Sequence, residues 1–284
     1  MTETIIAFVD GSIYSRSVCE HAAWISARTG ADIELVHVLG PREGAAKTDL
    51  SGSIKLGART ALMEELASLD EQRAKLMTRR GRAILDDARA VIEAAGITAV
   101  VPHLRHGDIA ETVAEQDLAA CMVLIGKRGE TAEKPQRHLG QNLERIVRAS
   151  HRPVFVASRA FRPIQRVLVA WDGGPSAMRA VDHIARSRLF AGLSLRLLTV
   201  GATTPEASRS LADAAAMLRA AGIEAETAIL PGQPAAVLGK LEQEQGFDLL
   251  VMGAYGHSRI RTMIVGSTTS EMIRTCRAPV LLVR

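Results

Sequence analysis

The residues with the clearest chemical potential lie near the C-terminal end. They read Gly253-Ala254-Tyr255-Gly256-His257-Ser258-Arg259, then Ile260–Val265, then Gly266-Ser267-Thr268-Thr269. The spacing is G-x2-G-x9-G-S, between an apolar run (Leu250–Gly253, LVMG) and a helical pattern over 267–275. Glycines after a strand let an anion approach the backbone with no Cβ in the way. Gly-Ser-Thr-Thr opening a helix offers free N–H donors, the positive end of the helix dipole and hydroxyls. His257 and Arg259 add donors or charge. The chemistry this fits is the cradling of phosphate. Either half of the pattern alone reads more simply as a Gly-rich turn with Ser or Thr as helix N-cap. Both halves at this spacing, on the same strand edge as Asp172, favour the phosphate reading.

A weaker echo lies in the first half of the chain. Gly126-Lys127-Arg128-Gly129 is followed by ten residues and then Gly140-Gln141-Asn142. The spacer is one residue longer, and Gln141 stands where the small hydroxyl residue should be. Its bulk opposes a phosphate, while Lys127, Arg128 and Arg137 would attract one. Asp10 and Val38 complete this second candidate site, with Gly126, Gly129, Gly140 and Gln141.

Other chemistries fit less well. There is no G-x4-G-K-[ST] loop and no G-x-G-x-x-G after a first strand, which disfavours P-loop and dinucleotide enzymes. His103 and His106 lack acidic or Cys partners for a metal site. Asp86-Asp87 and Glu64-Glu65 fall on a helical pattern and read as solvated faces. Cys19 reads as a helix core residue, and Met217, Met252, Met263 and Met272 as core fillers. No catalytic residue and no metal ligand is assigned.

The elements that must position these residues come in two copies. Ile5–Ser12 (IIAFVDGS) matches Val167–Gly174 (VLVAWDGG), and His21 matches His183, with both Asp10/Asp172 and His21/His183 offset by 162 positions. Further on, Ala95-Gly96-Ile97 matches Ala221-Gly222-Ile223 and Arg152-Pro153-Val154 matches Ala278-Pro279-Val280, now offset by 126. The first copy therefore carries an extra segment of 36 residues between Val38 and Ala95. Two units follow: residues 1–160 with a helical insertion over 39–94, and residues 161–284, with the boundary near Arg159–Gln165.

In the second copy the strands are expected at 166–171, 194–200, 224–230, 248–252 and 279–283. Helices are expected at 175–191, 205–221, 234–245 and 267–275. Near-continuous apolar strands alternating with helices imply a parallel sheet covered on both faces. The fold class is α/β, two tandem doubly wound five-stranded sheets of Rossmann-like type. In the insertion, Gly40–Gly57 reads as a mobile loop and Ala58–Ala95 as helix, with a break expected at Arg79-Arg80-Gly81. Its leucines, Leu62, Leu66, Leu69, Leu76 and Leu85, fit a crossover helix lying on the sheet. A lid or a partner-binding helix is the functional alternative.

Composition agrees. Of 284 residues, 47% are hydrophobic and 23% charged, which excludes a mainly disordered chain. Aromatics are only 3%, too few for base-stacking platforms, and the net charge of +4 comes from interspersed residues, so no nucleic-acid partner is expected. No apolar run reaches the roughly 18 residues of a membrane span. The N-terminus reads as a first strand and not as a signal peptide. Three scattered cysteines fit a reducing cytoplasm.

These residues resemble the universal stress proteins, the resemblance being carried by Gly253/Gly256/Gly266/Ser267, Asp172 after the first strand of the copy, and the Pro279–Val283 strand. It covers nearly the whole chain, as a tandem of two domains of the adenine nucleotide alpha hydrolase-like kind. The resemblance implies ATP binding, chiefly by the second copy, in a stress-response or signalling module. Gly253, Gly256, His257, Gly266, Ser267, Thr268 and Thr269 would hold ribose and phosphates. Asp172 and the backbone of Ala170 and Val200 would border adenine and ribose, and magnesium would arrive on the phosphate oxygens. The alternatives are a slow ATPase or phosphotransferase at the same site, and a scaffold that binds no nucleotide. The resemblance also implies that Val154–Ser158 and Val280–Arg284, the two last strands, pair within the chain as a pseudo-dimer. A further homodimer of whole chains stays open.

Overall fold

The computed structural model describes residues 3–40, 56–116, 120–129, 141–254 and 267–284. Apart from its ends, the segment 40–57 expected to be mobile lies outside them. The first half runs β1 (Thr4–Phe8), α1 (Ser15–Thr29), β2 (Asp32–Leu39), α2 (Leu56–Ala94), β3 (Val100–His106), α3 (Ile109–Gln116), β4 (Ala120–Gly126), α4 (Gln141–Ala149) and β5 (Val154–Ala157). The second runs β6 (Arg166–Ala170), α5 (Pro175–Arg186), β7 (Ser194–Val200), α6 (Pro205–Ala220), β8 (Ala225–Leu230), α7 (Pro234–Gln245), β9 (Leu249–Gly253), α8 (Ser267–Thr275) and β10 (Val280–Val283). The strands expected in the second copy are all present, within a residue or so at each end. The pattern over 175–191 divides: α5 stops at Arg186 and a 3-10 turn follows at Arg188–Phe190. Leu189 and Phe190 are buried there, so apolar spacing continued past the helix end.

All ten strands form one sheet in the order β3-β2-β1-β4-β5-β10-β9-β6-β7-β8. Within each half every pairing is parallel. Among the described residues the one antiparallel pairing is β5 with β10, Val280 opposite Val156 and Leu282 opposite Val154. The two last strands therefore join, as the resemblance implied, and turn two five-stranded sheets into one. All eight of their residues are buried. Helices α1, α2, α5 and α6 cover one face, through residues such as Val18, Leu85, Val181 and Leu211. Helices α3, α4, α7 and α8 cover the other, through Val113, Ile146, Leu238 and Met272. Each core is continuous across both halves.

Helix α2 departs from expectation twice. It does not break at Gly81 but runs unbroken for 39 residues. The glycine serves close approach: a Cβ there would sit 2.7 Å from Leu104 Cδ1 and 3.0 Å from His37 Cδ2. Nor does the whole helix lie on the sheet. Leu85, Ala88 and Ile92 are buried, whereas Leu62, Leu66, Leu69 and Leu76 are exposed. Of the methionines read as core, Met252 and Met272 are buried, Met217 faces outward on α6, and Met263 lies outside the described residues. Cys19 is buried, and burial pushes its thiol up to about 12. Asp86, Asp87, Glu64 and Glu65 are solvent-exposed.

The paired histidines are structural. His21 on α1 is fully buried, its ring 5.1 Å from that of Phe155 on β5 and 5.0 Å from that of Phe161 in the connection between halves. Its Nδ1–H donates to Ser17 O at 2.7 Å. Nε2 is buried with no partner, so a proton there would be an uncompensated buried charge. Burial pulls the ring down from 6.5 to about 4, and lowers His183 too. A histidine lowered on folding binds more protons when unfolded. Stability is therefore full above pH 6.5 and is lost as pH falls toward 4. We expect His21 to make the fold about 2 kcal/mol less stable at pH 5 than at pH 7. His21→Leu should remove that part of the pH dependence in urea unfolding, and an unchanged slope would refute it.

Candidate functional site

In each half the strand order reverses between the first and fourth strands, β1 and β4 or β6 and β9. In doubly wound sheets a ligand crevice opens at such a switch, outside the carboxyl ends of the strands. Ala170 ends β6, Val200 ends β7 and Gly253 ends β9, so three of the expected site residues reach the same edge of the second half. Val169 pairs with Val251, which places Asp172 and Gly253 on either side of the switch. Ala170 and Val200 are partly buried against the core.

Asp172 is held by its own turn. Its Oδ1 accepts from Gly174 N at 2.8 Å, and Gly173 takes φ +72°, a left-handed bend that leads into α5 at Pro175. Asp10 repeats this: Oδ1 accepts from Ser12 N at 2.9 Å and from Ser15 Oγ at 3.1 Å, and Gly11 takes φ +78°. Each carboxylate is thus fixed at the mouth of its crevice by the backbone leaving the first strand.

Gly253 is needed for a reason the spacing did not show. A Cβ on it would lie 2.8 Å from Ser176 Cβ, 2.9 Å from Ala177 N and 3.0 Å from Ser176 C. The end of β9 packs directly on the first turn of α5. Gly126 repeats the contact against Tyr14, at 2.7 Å from its Cβ, and a Cβ on Gly129 would meet Asp10 Oδ2 at 3.1 Å. Ser176 and Tyr14 were not picked out in the sequence. The signal was available, since they occupy matching positions 162 apart, each at the start of a helix.

Helix α8 starts at Ser267-Thr268-Thr269, and buried Thr269 brings Oγ1 to 3.5 Å from Gly253 O. The first turn of α8 contains no acidic residue. That of α4, which starts at Gln141, contains Glu144. A carboxylate there competes with an anionic ligand for the positive end of the helix. The expected site residues Gly256, His257, Gly266 and Gly140, together with Arg137, lie outside the described residues.

Lys127 corrects an expectation. Its charge is expected to attract phosphate in the first half, but its ammonium donates to Cys276 O, just past the end of α8 in the other half. Burial lowers its pKa, with Cys276 and Glu242 opposing that shift. Helix carbonyl ends attract cations, so the charge is used at the junction between halves. The matching residue in the second half is Ala254. His103 stands 3.8 Å from Glu34, and no group of three or more potential metal ligands occurs among the described residues.

Comparison with known proteins agrees with this architecture. The universal stress protein family profile matches residues 1–158 and again 163–284. Universal stress protein Slr1230 of Synechocystis is 35% identical, covering 99% of this chain and 100% of its own. A universal stress protein of Mycolicibacterium smegmatis is 25% identical over 99% of this chain and 96% of its own. The crystal structure of a universal stress protein from Archaeoglobus fulgidus shares the fold at a TM-score of 0.72, with 22% identity and 99% and 98% coverage. The chain belongs to the universal stress protein family, as a tandem of two such units.

The contact beneath Gly253 predicts a stability effect that needs no ligand. Gly253→Ala should lose about 1–3 kcal/mol in urea unfolding of ligand-free protein, because helix backbone cannot move aside. Gly239→Ala, within α7 and with nothing within 4 Å, should instead gain about 0.5–1 kcal/mol. Equal effects at the two positions would refute the packing argument.

Proposed function

We propose that this protein binds ATP, chiefly in its second half, and acts as a stress-response or signalling module. The observation that carries the reading is the convergence at one switch point. Asp172 and Gly253 flank it, and α8 opens beside it with Ser267-Thr268-Thr269 and no acidic residue in its first turn. The free N–H groups and dipole of such a helix end favour a phosphate chain. In this proposal Ala170, Asp172 and Val200 border adenine and ribose. Gly253, Gly256, His257, Gly266, Ser267, Thr268 and Thr269 take ribose and phosphates, and magnesium is carried by the phosphates. The units are 1–160, with its insertion, and 161–284. The first-half site, Asp10, Val38, Gly126, Gly129, Gly140 and Gln141, is proposed to be the weaker. Three things support that order: the longer spacer, the bulk of Gln141, and Glu144 in the first turn of α4.

The enzymatic alternative needs a base that orients water or an acceptor hydroxyl. Exposed Asp172 is the candidate, and a turnover assay with ATP separates this reading from binding alone. The scaffold alternative is separated by mass analysis of gently purified protein for retained nucleotide.

The decisive measurement is titration calorimetry of the full chain with Mg-ATP. One tight site per chain is expected. Gly266→Val should abolish it. Ser267→Ala should cost about 0.5–1.5 kcal/mol, or up to about 3 where the lost hydrogen bond is to charged phosphate. Gly140→Val should change little, and Gln141→Ser should strengthen a second site. Two equal sites, or loss of tight binding with Gly140→Val and not with Gly266→Val, would overturn the asymmetry. No binding at all would overturn the function.

A further inference from the structure

The first part of α2 has no job in the fold described above. The helix joins the body at Gly81, packed on Leu104 and His37, and stays packed through Ile92. From Leu62 to Arg80 every residue is exposed except Ala74 and Thr78, which are half-buried. This arm of helix extends beyond the end of β2, since Gly81 already sits against Leu39, the last residue of that strand. In proteins most helical stability comes from packing an amphipathic face, and among the described contacts this arm has almost none.

The arm is nevertheless patterned for packing. Leu62, Leu66, Leu69, Arg73 and Leu76 follow one another at steps of four, three, four and three, the heptad seam of a coiled coil. Met63 and Met77 flank it at two heptads' separation. Leu69 is 54% and Leu76 65% exposed. Apolar side chains aligned in this way mark a contact surface.

Charge selects the occupant. The acidic residues of the arm, Glu64, Glu65, Asp70 and Glu71, all precede its basic ones, Arg73, Lys75, Arg79 and Arg80. A parallel copy would set like charges together. An antiparallel copy sets acidic against basic along the whole arm. With a two-fold axis near Glu71, Leu66 lies opposite Leu76 of the second copy, each five positions from the axis, and Glu65 lies near Arg79 of the second copy. Arg73 then faces Leu69 of the second copy, which its aliphatic stem can cover while its head reaches Asp70 of that copy. The contact is isologous and closes as a dimer. The two Gly81 positions end up about 30 Å apart, so each body sits at its own end of the helix pair.

We propose that the arm Leu62–Arg80 is a homodimerisation element, pairing antiparallel with the same arm of a second copy of this chain. Sedimentation velocity on the full chain tests it. A dimer is expected, and Leu66→Glu with Leu69→Glu should weaken association by roughly a hundredfold or more, leaving monomer with an unchanged urea midpoint. A wild-type chain that is monomeric at about 100 µM, roughly a hundredfold above a micromolar Kd, overturns the proposal. So does a double variant that stays dimeric. Glu65→Arg alone should weaken the dimer about tenfold, and adding Arg79→Glu should restore it. These exposed positions leave the body intact, so the charge pair remains a test even where the leucine variant folds poorly. Weakening without rescue overturns the antiparallel pairing.

Discussion

The rest of this structure depends on the antiparallel pairing of β5 with β10. A five-stranded parallel sheet that stopped at β5 would present a row of unpaired backbone donors and acceptors flanked by apolar side chains. Val154, Phe155 and Val156 could not remain there in water without cost, and neither could Val280, Leu281 and Leu282. Joining the two edges satisfies both backbones, and all of these side chains are buried in the joined sheet beneath the helices on its two faces. Full burial of an aliphatic side chain is worth about 1.5–3 kcal/mol, shared here between the seam and the covering helices. The duplicated chain supplies its own partner edge, at the effective concentration of a tether and not of a second molecule. What remains exposed is β3 at one end of the sheet and β8 at the other. β3 carries Pro102, Arg105 and two histidines, and β8 carries Glu226 among half-exposed neighbours, features that discourage further strand pairing.

Other contacts between halves gather around this seam. Arg28 on α1 donates to the carbonyls of Leu189 and Ala191 in the 3-10 turn of the other half. Arg284 donates to Arg148 O at the end of α4. Lys127 donates to Cys276 O, and the His21 ring meets that of Phe161, in the connection between the units, edge-on at 85°. These polar contacts are specific but small next to the apolar seam. Their effect is to fix how the two sheets meet once burial has brought them together.

Antiparallel joining also sets where chemistry can happen. The strands of one half all run opposite to those of the other, so the two switch-point crevices open on opposite edges of the sheet. The copies can then diverge independently. In the first, the residue after β4 became a lysine committed to the seam, the first turn of α4 holds a carboxylate, and the crossover after β2 grew into a 39-residue helix. In the second, Ala254 leaves that position small, α8 opens on hydroxyl residues, and the equivalent crossover helix α6 has 16 residues.

The sequence alone determined the duplication, the strand and helix order, the α/β class and the edge on which the candidate site lies. Those features rest on local signals that repeat: apolar runs, Asp-Gly turns, and glycine spacing before a helix. It also marked Asp172 and Gly253, because their types are restricted by backbone conformation and close approach. Tertiary structure decided what each restriction was for. Gly253 is small because α5 lies 2.8 Å from where its Cβ would be, and Gly81 bends nothing because it lets α2 approach Leu104. The periodicity of Leu62, Leu66, Leu69 and Leu76 announced an apolar stripe, but a stripe carries no record of what covers it. Only the positions of β2 and β3 showed that the sheet ends before those leucines begin. Lys127 was legible as a cation, while its use depended on a carbonyl 149 residues away in the chain. Periodicity and residue type are local properties, whereas burial and partnership are settled by which distant surfaces meet.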